Sequence, residues 1–267
     1  MNKETENSKQ VTEHNRRAWD AMVSKGNRWT VPVSAEEIVG AREGRCDIVL
    51  TPAKNIPYEW FMPVEGKAVL CLAGGGGQQA PMLAAAGAQV TTLDNSQNQL
   101  DQDQKVAERE GFSIESVLGV MDDLSTFEDE SFDLVVHPCS NSFTPDVLLV
   151  WKEVFRVLKP GGNLLAGFIN PIVHMFDWDE YEKKRLVARH KIPYSDIESL
   201  SVEQQNEFIE KGEPFWFGHS LADQIGGQTA AGFAITGFYE DDWGDENDPL
   251  SAFIDCFIAT RATKPGL

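Results

Sequence analysis

Four consecutive glycines, Gly74 to Gly77, follow the apolar run Ala68-Val69-Leu70-Cys71-Leu72. The run reads as a buried strand, and Gln78 to Ala86 reads as the helix after it. Strand, glycine-rich turn and helix let a backbone approach a ligand closely and aim helix N–H groups at it. Asp94 ends a second strand, Gln89-Val90-Thr91-Thr92-Leu93, and supplies an acid where a ribose needs one. These features point to an α/β architecture and an adenosine-type cofactor. Gly75-Gly76-Gly77-Gln78-Gln79-Ala80 also satisfies G-x-G-x-x-A, with Asp94 about 20 residues on, so a nicotinamide or flavin enzyme fits this unit too.

Strand candidates at 68–72, 89–93, 114–118, 132–137 and 163–169 alternate with helical segments near 78–86, 97–109 and 146–158. In the last segment Val147, Trp151, Val154, Phe155 and Leu158 share one face. Such alternation implies a parallel sheet covered by helices on both faces. Beyond residue 169 the pattern breaks into a charged, aromatic-bearing stretch, 170–219. A helix candidate at 220–231 then precedes two strands, Phe233–Tyr239 and Ala252–Thr260, joined by a short acidic loop and expected to be antiparallel neighbours. Residues 1 to about 30 read as helical, and Pro32, Pro52, Pro57 and Pro63 mark a loop-rich stretch after them. The expected division is a helical and loop extension, 1–65, forming a lid, and a catalytic domain, 66–267, in which 170–219 is an inserted substrate cover.

The formal charge of −19, from 23 basic and 42 acidic residues, argues against a nucleic-acid partner, since phosphate-backbone binding needs clustered Lys and Arg. No apolar run approaches the roughly 20 residues of a membrane span. The polar start, Met1 to Asn7, lacks a signal-peptide core, so a cytoplasmic location is expected. Cys46, Cys71, Cys139 and Cys256 are widely spaced without a CxxC pair, which argues against a zinc site or a disulfide framework. No metal is expected.

Five segments together resemble one family. Val69 to Gly77 resembles motif I of the class I S-adenosylmethionine-dependent methyltransferases. Val90-Thr91-Thr92-Leu93-Asp94-Asn95-Ser96 is similar to the family's second strand with its ribose-binding acid, and Gly119-Val120-Met121-Asp122-Asp123-Leu124 to its adenine-binding turn. Phe132 to His137 is similar to the fourth strand, and Arg156-Val157-Leu158-Lys159-Pro160-Gly161-Gly162 to the turn into the fifth. The resemblance covers about residues 66–170 well and 220–262 loosely. It implies a Rossmann-like, doubly wound seven-stranded sheet, mostly parallel with an antiparallel last strand and helices on both faces. It also implies S-adenosyl-L-methionine as cofactor and a small-molecule acceptor, similar to the bacterial quinone-biosynthesis-like branch, in a monomer or homodimer.

The resemblance further implies a site. Ala73, Gly74, Gly75, Gly77 and Gln78 would surround the methionine part, Asp94, Asn95 and Ser96 the ribose, and Met121 and Asp122 the adenine. His137, Pro138 and Asn141 would lie near the methyl group, with His137 a candidate general base. Independently of the resemblance, Trp29 of the N-terminal extension and Trp216 and His219 of the 170–219 insertion are the candidates to cover the acceptor. Two positions depart from the family pattern: Cys71 stands where an acid is usual, and Val120 where Asp is frequent. A nicotinamide-dependent oxidoreductase and a non-catalytic S-adenosylmethionine-binding protein are the competing readings.

Overall fold

The computed structural model describes residues 3–244 and 248–266. The chain opens with α1 (Lys3–Lys25), ended by Gly26 at φ 69°, and continues through a short 3-10 turn, Arg28–Thr30, to α2 (Ala35–Arg42). Unbroken apolar runs dictate strands buried on both faces. In β1 (Ala68–Leu72), Val69 and Cys71 enter one core while Leu70 and Leu72 enter the other. β2 (Gln89–Asp94) and β4 (Phe132–His137) flank β1 in parallel, with β3 (Glu115–Leu118) outside β2 and β5 (Leu158–Ile169) outside β4.

A two-stranded antiparallel ribbon, β6 (Tyr194–Ser195) and β7 (Phe217–Gly218), stands apart in the 170–219 stretch. β8 (Ala234–Asp241) and β9 (Phe257–Thr263) then complete the main sheet, β9 pairing antiparallel with both β5 and β8. The order is β3-β2-β1-β4-β5-β9-β8. This is the expected mostly parallel, seven-stranded Rossmann-like sheet. Among the described residues no helix is long and apolar enough to cross a membrane.

Helices cover both faces. Ile38 of α2, Met82 and Leu83 of α3 (Gln79–Ala85), and Val106 and Ala107 of α4 (Gln97–Glu110) pack on the Val69 and Cys71 side. The strongly amphipathic α5 (Val147–Val157) buries Val147, Val150, Trp151 and Val154 on the other. Asp146 caps α5, its carboxylate accepting from Leu148 N and Leu149 N. The strand order reverses between β1 and β4, so the loops leaving them diverge and open a crevice at their carboxyl ends.

Three local expectations need adjusting. The last strand begins at Phe257, later than its apolar start at Ala252 suggests, because Asp248 gathers Leu250 N, Ser251 N and Ser251 Oγ into a turn. Phe253 is consequently exposed. The helix expected over 220–231 runs unbroken from residue 221 to 231, but its first part, Ala222–Gly226, is π-helical ahead of the α-helical Gly227–Ala231. Finally, α2 lies inside the loop-rich stretch, started by a capping box in which Ser34 and Glu37 each satisfy the other's backbone N–H.

Gly167 of β5 lies close under residues 47–56, since a Cβ there would overlap the Leu50 carbonyl oxygen. Gly167→Ala is therefore expected to cost about 1–3 kcal/mol of stability through overpacking. Urea unfolding checks this, and an unchanged midpoint would show that the Leu50 segment yields freely.

Candidate active site

The glycine loop is held from beneath. Ala73 turns the chain at φ 47° and donates its N–H to Leu93 O at 2.7 Å. Gly75 N then donates to Asp94 Oδ2 at 3.1 Å, Gly76 N to Gln99 O at 3.0 Å, and Gly77 N to Asp103 Oδ1 at 2.7 Å. Three successive amides are thus committed to protein acceptors. Gly76 and Gly77 have φ of 116° and 81°, a region open to glycine at little cost.

What presses on the loop from above is the chain itself. A Cβ on Gly76 would stand 2.6 Å from Trp29 O, and one on Gly77 2.8 Å from Pro32 Cβ. Val33 N donates to Gly77 O at 2.8 Å, and Gln78 Nε2 donates to Arg28 O and Val31 O. The two later glycines therefore admit the segment 28–33. Gly74 and Gly75 face the cavity.

That cavity, of about 260 Å³, lies at the carboxyl ends of β1, β2 and β4. Ala73, Gly74, Gly75 and Gln78 form its floor, and Asp94 and Asn95 enter from the end of β2. Met121 and Asp122 reach it from the turn after β3, and Pro138 from the turn after β4. Trp29 and Trp216 close it from the N-terminal segment and the 170–219 stretch. Asp94 is buried, with Oδ1 accepting from Ser96 N at 2.9 Å. Desolvation pushes its pKa up to about 6, against the hydrogen bonds from Ser96 and Gly75 that lower it. Desolvation also raises Asp122, whose Oδ2 accepts from Thr144 Oγ1.

Five expected site residues lie outside the cavity wall. Gly77 is sealed between Asp103 and Pro32. Ser96 caps α4, its hydroxyl donating to Asp20 Oδ1 at 2.6 Å while accepting from Gln99 N. His137 shares strand parity with Val135 and turns into the core against Trp151, so the position expected for a base is buried instead. Its Nδ1–H donates to Leu72 O at 2.9 Å, and burial pushes its pKa down to about 4. The ring is a neutral tie between β4 and β1. Asn141 donates to Gln224 Oε1, and His219 Nε2 faces the carbonyls of Asn141 and Thr144, bracing the 141–144 turn.

Other wall residues carried no motif. Gln99 lines the cavity with a buried Oε1 that has no partner. Leu50, Thr51 and Pro52 arrive from the loop-rich stretch, and Phe143, Ile169, Trp243 and Phe257 complete an apolar side. Among the lining residues Asp94 and Asp122 are the carboxylates, and there is no lysine, arginine or histidine.

A methyltransferase-domain family model matches residues 70–166. The uncharacterized methyltransferase YbaJ of Bacillus subtilis (strain 168) is 52% identical over 251 residues, which span 94% of this chain and 97% of the relative. A solved S-adenosylmethionine-dependent methyltransferase from Mesorhizobium loti superposes with a TM-score of 0.58 at 18% identity, covering 77% of this chain and 94% of its own. The Burkholderia thailandensis 1,6-didemethyltoxoflavin-N1-methyltransferase, solved with its namesake compound and S-adenosylhomocysteine, gives 0.59 at 12% identity, with coverages of 97% and 90%. At such identities the two structural likenesses are likenesses of fold.

Asp103 gives the loop a measurable signature. The residue has no exposure, Oδ1 holds Gly77 N, and Oδ2 has no partner. Desolvation pushes its pKa up to about 7 from an ordinary 3.8. Between about pH 4 and 7 the folded chain keeps a proton that the unfolded chain has released, so stability is lost as pH rises through this window. Asp103→Asn retains an oxygen for Gly77 N–H without ionising. Urea unfolding from pH 4 to 8 is expected to show the wild type losing stability relative to Asp103→Asn. Parallel curves would mean that Asp103 titrates normally.

Proposed function

Given that the chain belongs to the class I S-adenosylmethionine-dependent methyltransferases, we propose that it transfers a methyl group in line to an uncharged, largely apolar small molecule. One observation carries this reading: a single cavity joins the buried carboxylate of Asp94 to a side walled by Leu50, Phe143, Ile169, Trp216 and Trp243. The donor is a sulfonium cation, and its cavity presents carboxylates without a lysine, arginine or histidine. A dinucleotide fits this chain less well. Its pyrophosphate would meet no cation, and the Gly75–Gly77 amides that would cradle it are already committed.

In this reading Asp94 holds the ribose hydroxyls, with the Gly75 and Ser96 amides fixing the orientation of its carboxylate. Asn95 stands beside it, and Met121 and Asp122 take the adenine. Ala73, Gly74 and Gly75 pass under the methionine part. Cys71 is fully buried in the core, its thiol pushed well up by desolvation, and cannot supply the charge usual at that position. Gln99 Oε1 is the free buried acceptor at the cavity and would take an N–H of the methionine ammonium. Bound there, the donor supplies an electrophilic methyl group. The protein's part is then to align the acceptor and to exclude water. Residues 1–65 act as the lid through Trp19 and Trp29, and 170–219 as the acceptor cover through Pro214 and Trp216.

Asp94→Ala is expected to weaken S-adenosylhomocysteine binding by about 1–3 kcal/mol, as measured by calorimetry. Wild-type affinity should fall below about pH 6, where Asp94 takes a proton, and the variant should lose that dependence. Thermal stabilisation by NAD(H) but not by S-adenosylhomocysteine would overturn the reading.

A further inference from the structure

One hydroxyl on the apolar side of the cavity has its proton spoken for. Beyond Gly74 the wall passes to Pro138, whose Cδ a Cβ on Gly74 would meet at 3.3 Å, and to Cys139, whose Sγ donates to Leu50 O at 3.3 Å. Thr51 comes next. It is 2% exposed, and its Oγ1 lies 2.6 Å from Oδ2 of Asp241, itself 1% exposed. That same Oδ2 accepts from Ala53 N and Lys54 N, both at 2.9 Å. An oxygen taking two amide hydrogens is the acceptor here, so Thr51 must donate. The Tyr239 hydroxyl, at 3.4 Å, is too distant to compete. Thr51 therefore has lone pairs to offer a ligand and no hydrogen.

The geometry points to Thr51, backed by Asp241, as the group that receives a hydrogen bond from the O–H or N–H of the methyl acceptor and takes its proton during transfer. This assignment rests on the methyltransferase reading. The acceptor atom uses a lone pair to bond the methyl carbon while the carbon–sulfur bond breaks and its pair stays on sulfur. The acceptor's proton passes to Thr51 Oγ1 as the threonine proton moves to Asp241 Oδ2. Once the product has left, the proton returns through Thr51 Oγ1 to water in the cavity, because Asp241 is buried behind the wall. The site thereby selects molecules that carry a hydrogen on the nucleophile. Asp241, whose three donors come from residues 51–54, also keeps Thr51 in place.

The test compares 2-naphthol with 2-fluoronaphthalene, similar in size but without the donor, by calorimetry on protein saturated with S-adenosylhomocysteine. The wild type is expected to prefer 2-naphthol about tenfold, the worth of one hydrogen bond to a buried acceptor. Thr51→Ser should keep the preference and Thr51→Val should abolish it. Asp241→Asn should keep it, since the amide oxygen stays on Ala53 N and Lys54 N and still accepts from Thr51 Oγ1. A wild type without preference, or an undiminished preference in Thr51→Val, would overturn the assignment. Binding of neither probe while S-adenosylhomocysteine binds would overturn it too, leaving the methyl-donor reading intact. Failure of S-adenosylhomocysteine to bind would remove both.

Discussion

The glycine loop has no side chains with which to hold itself, so its shape depends on three successive amides bonded to Asp94, the Gln99 carbonyl and Asp103. All three acceptors belong to the end of β2 and the first turns of α4. The loop is therefore fixed by the βαβ unit it joins, before any ligand arrives. Its upper surface then receives the segment 28–33, and a cavity floor and its cover are set by one short stretch of backbone.

Two of those acceptors are carboxylates taken out of water, and the cost shows in their raised pKa values. Burying Asp94 and Asp103 near one another disfavours ionising both: the charge of Asp94 raises Asp103, and that of Asp20 raises Asp94. A cation placed at the cavity would relieve this on the Asp94 side.

Strands β1 to β5, Asp94 and the glycine turn were legible because local apolar runs and turn chemistry determine them. The placement of His137 was also legible in principle, since Val135 and His137 share parity opposite Leu134 and Val136. Asp103 gave a similar signal, standing with Leu100, Val106 and Ala107 on the buried stripe of α4, where a charge has to find a purpose. Thr51 and Trp243 gave none. They reach the cavity through the pairing of β8 with β9 and the packing of residues 47–56 on Gly167, contacts between segments far apart in the chain. The start of β9 was misread because an aspartate that organises a turn outweighs a short apolar run.

Asn15 of α1 is buried and makes three hydrogen bonds, to Phe143 O, Phe215 O and Phe215 N. One side chain thus ties the N-terminal helix to the turn after β4 and to the 170–219 stretch at once. Parting α1 from either neighbour strands its buried amide or their backbone groups without partners, at about 1–3 kcal/mol for each. The closed position of α1 over the cavity is therefore set by one buried amide that both neighbours share, so a change at residue 15 would be felt at two walls of the cavity at once.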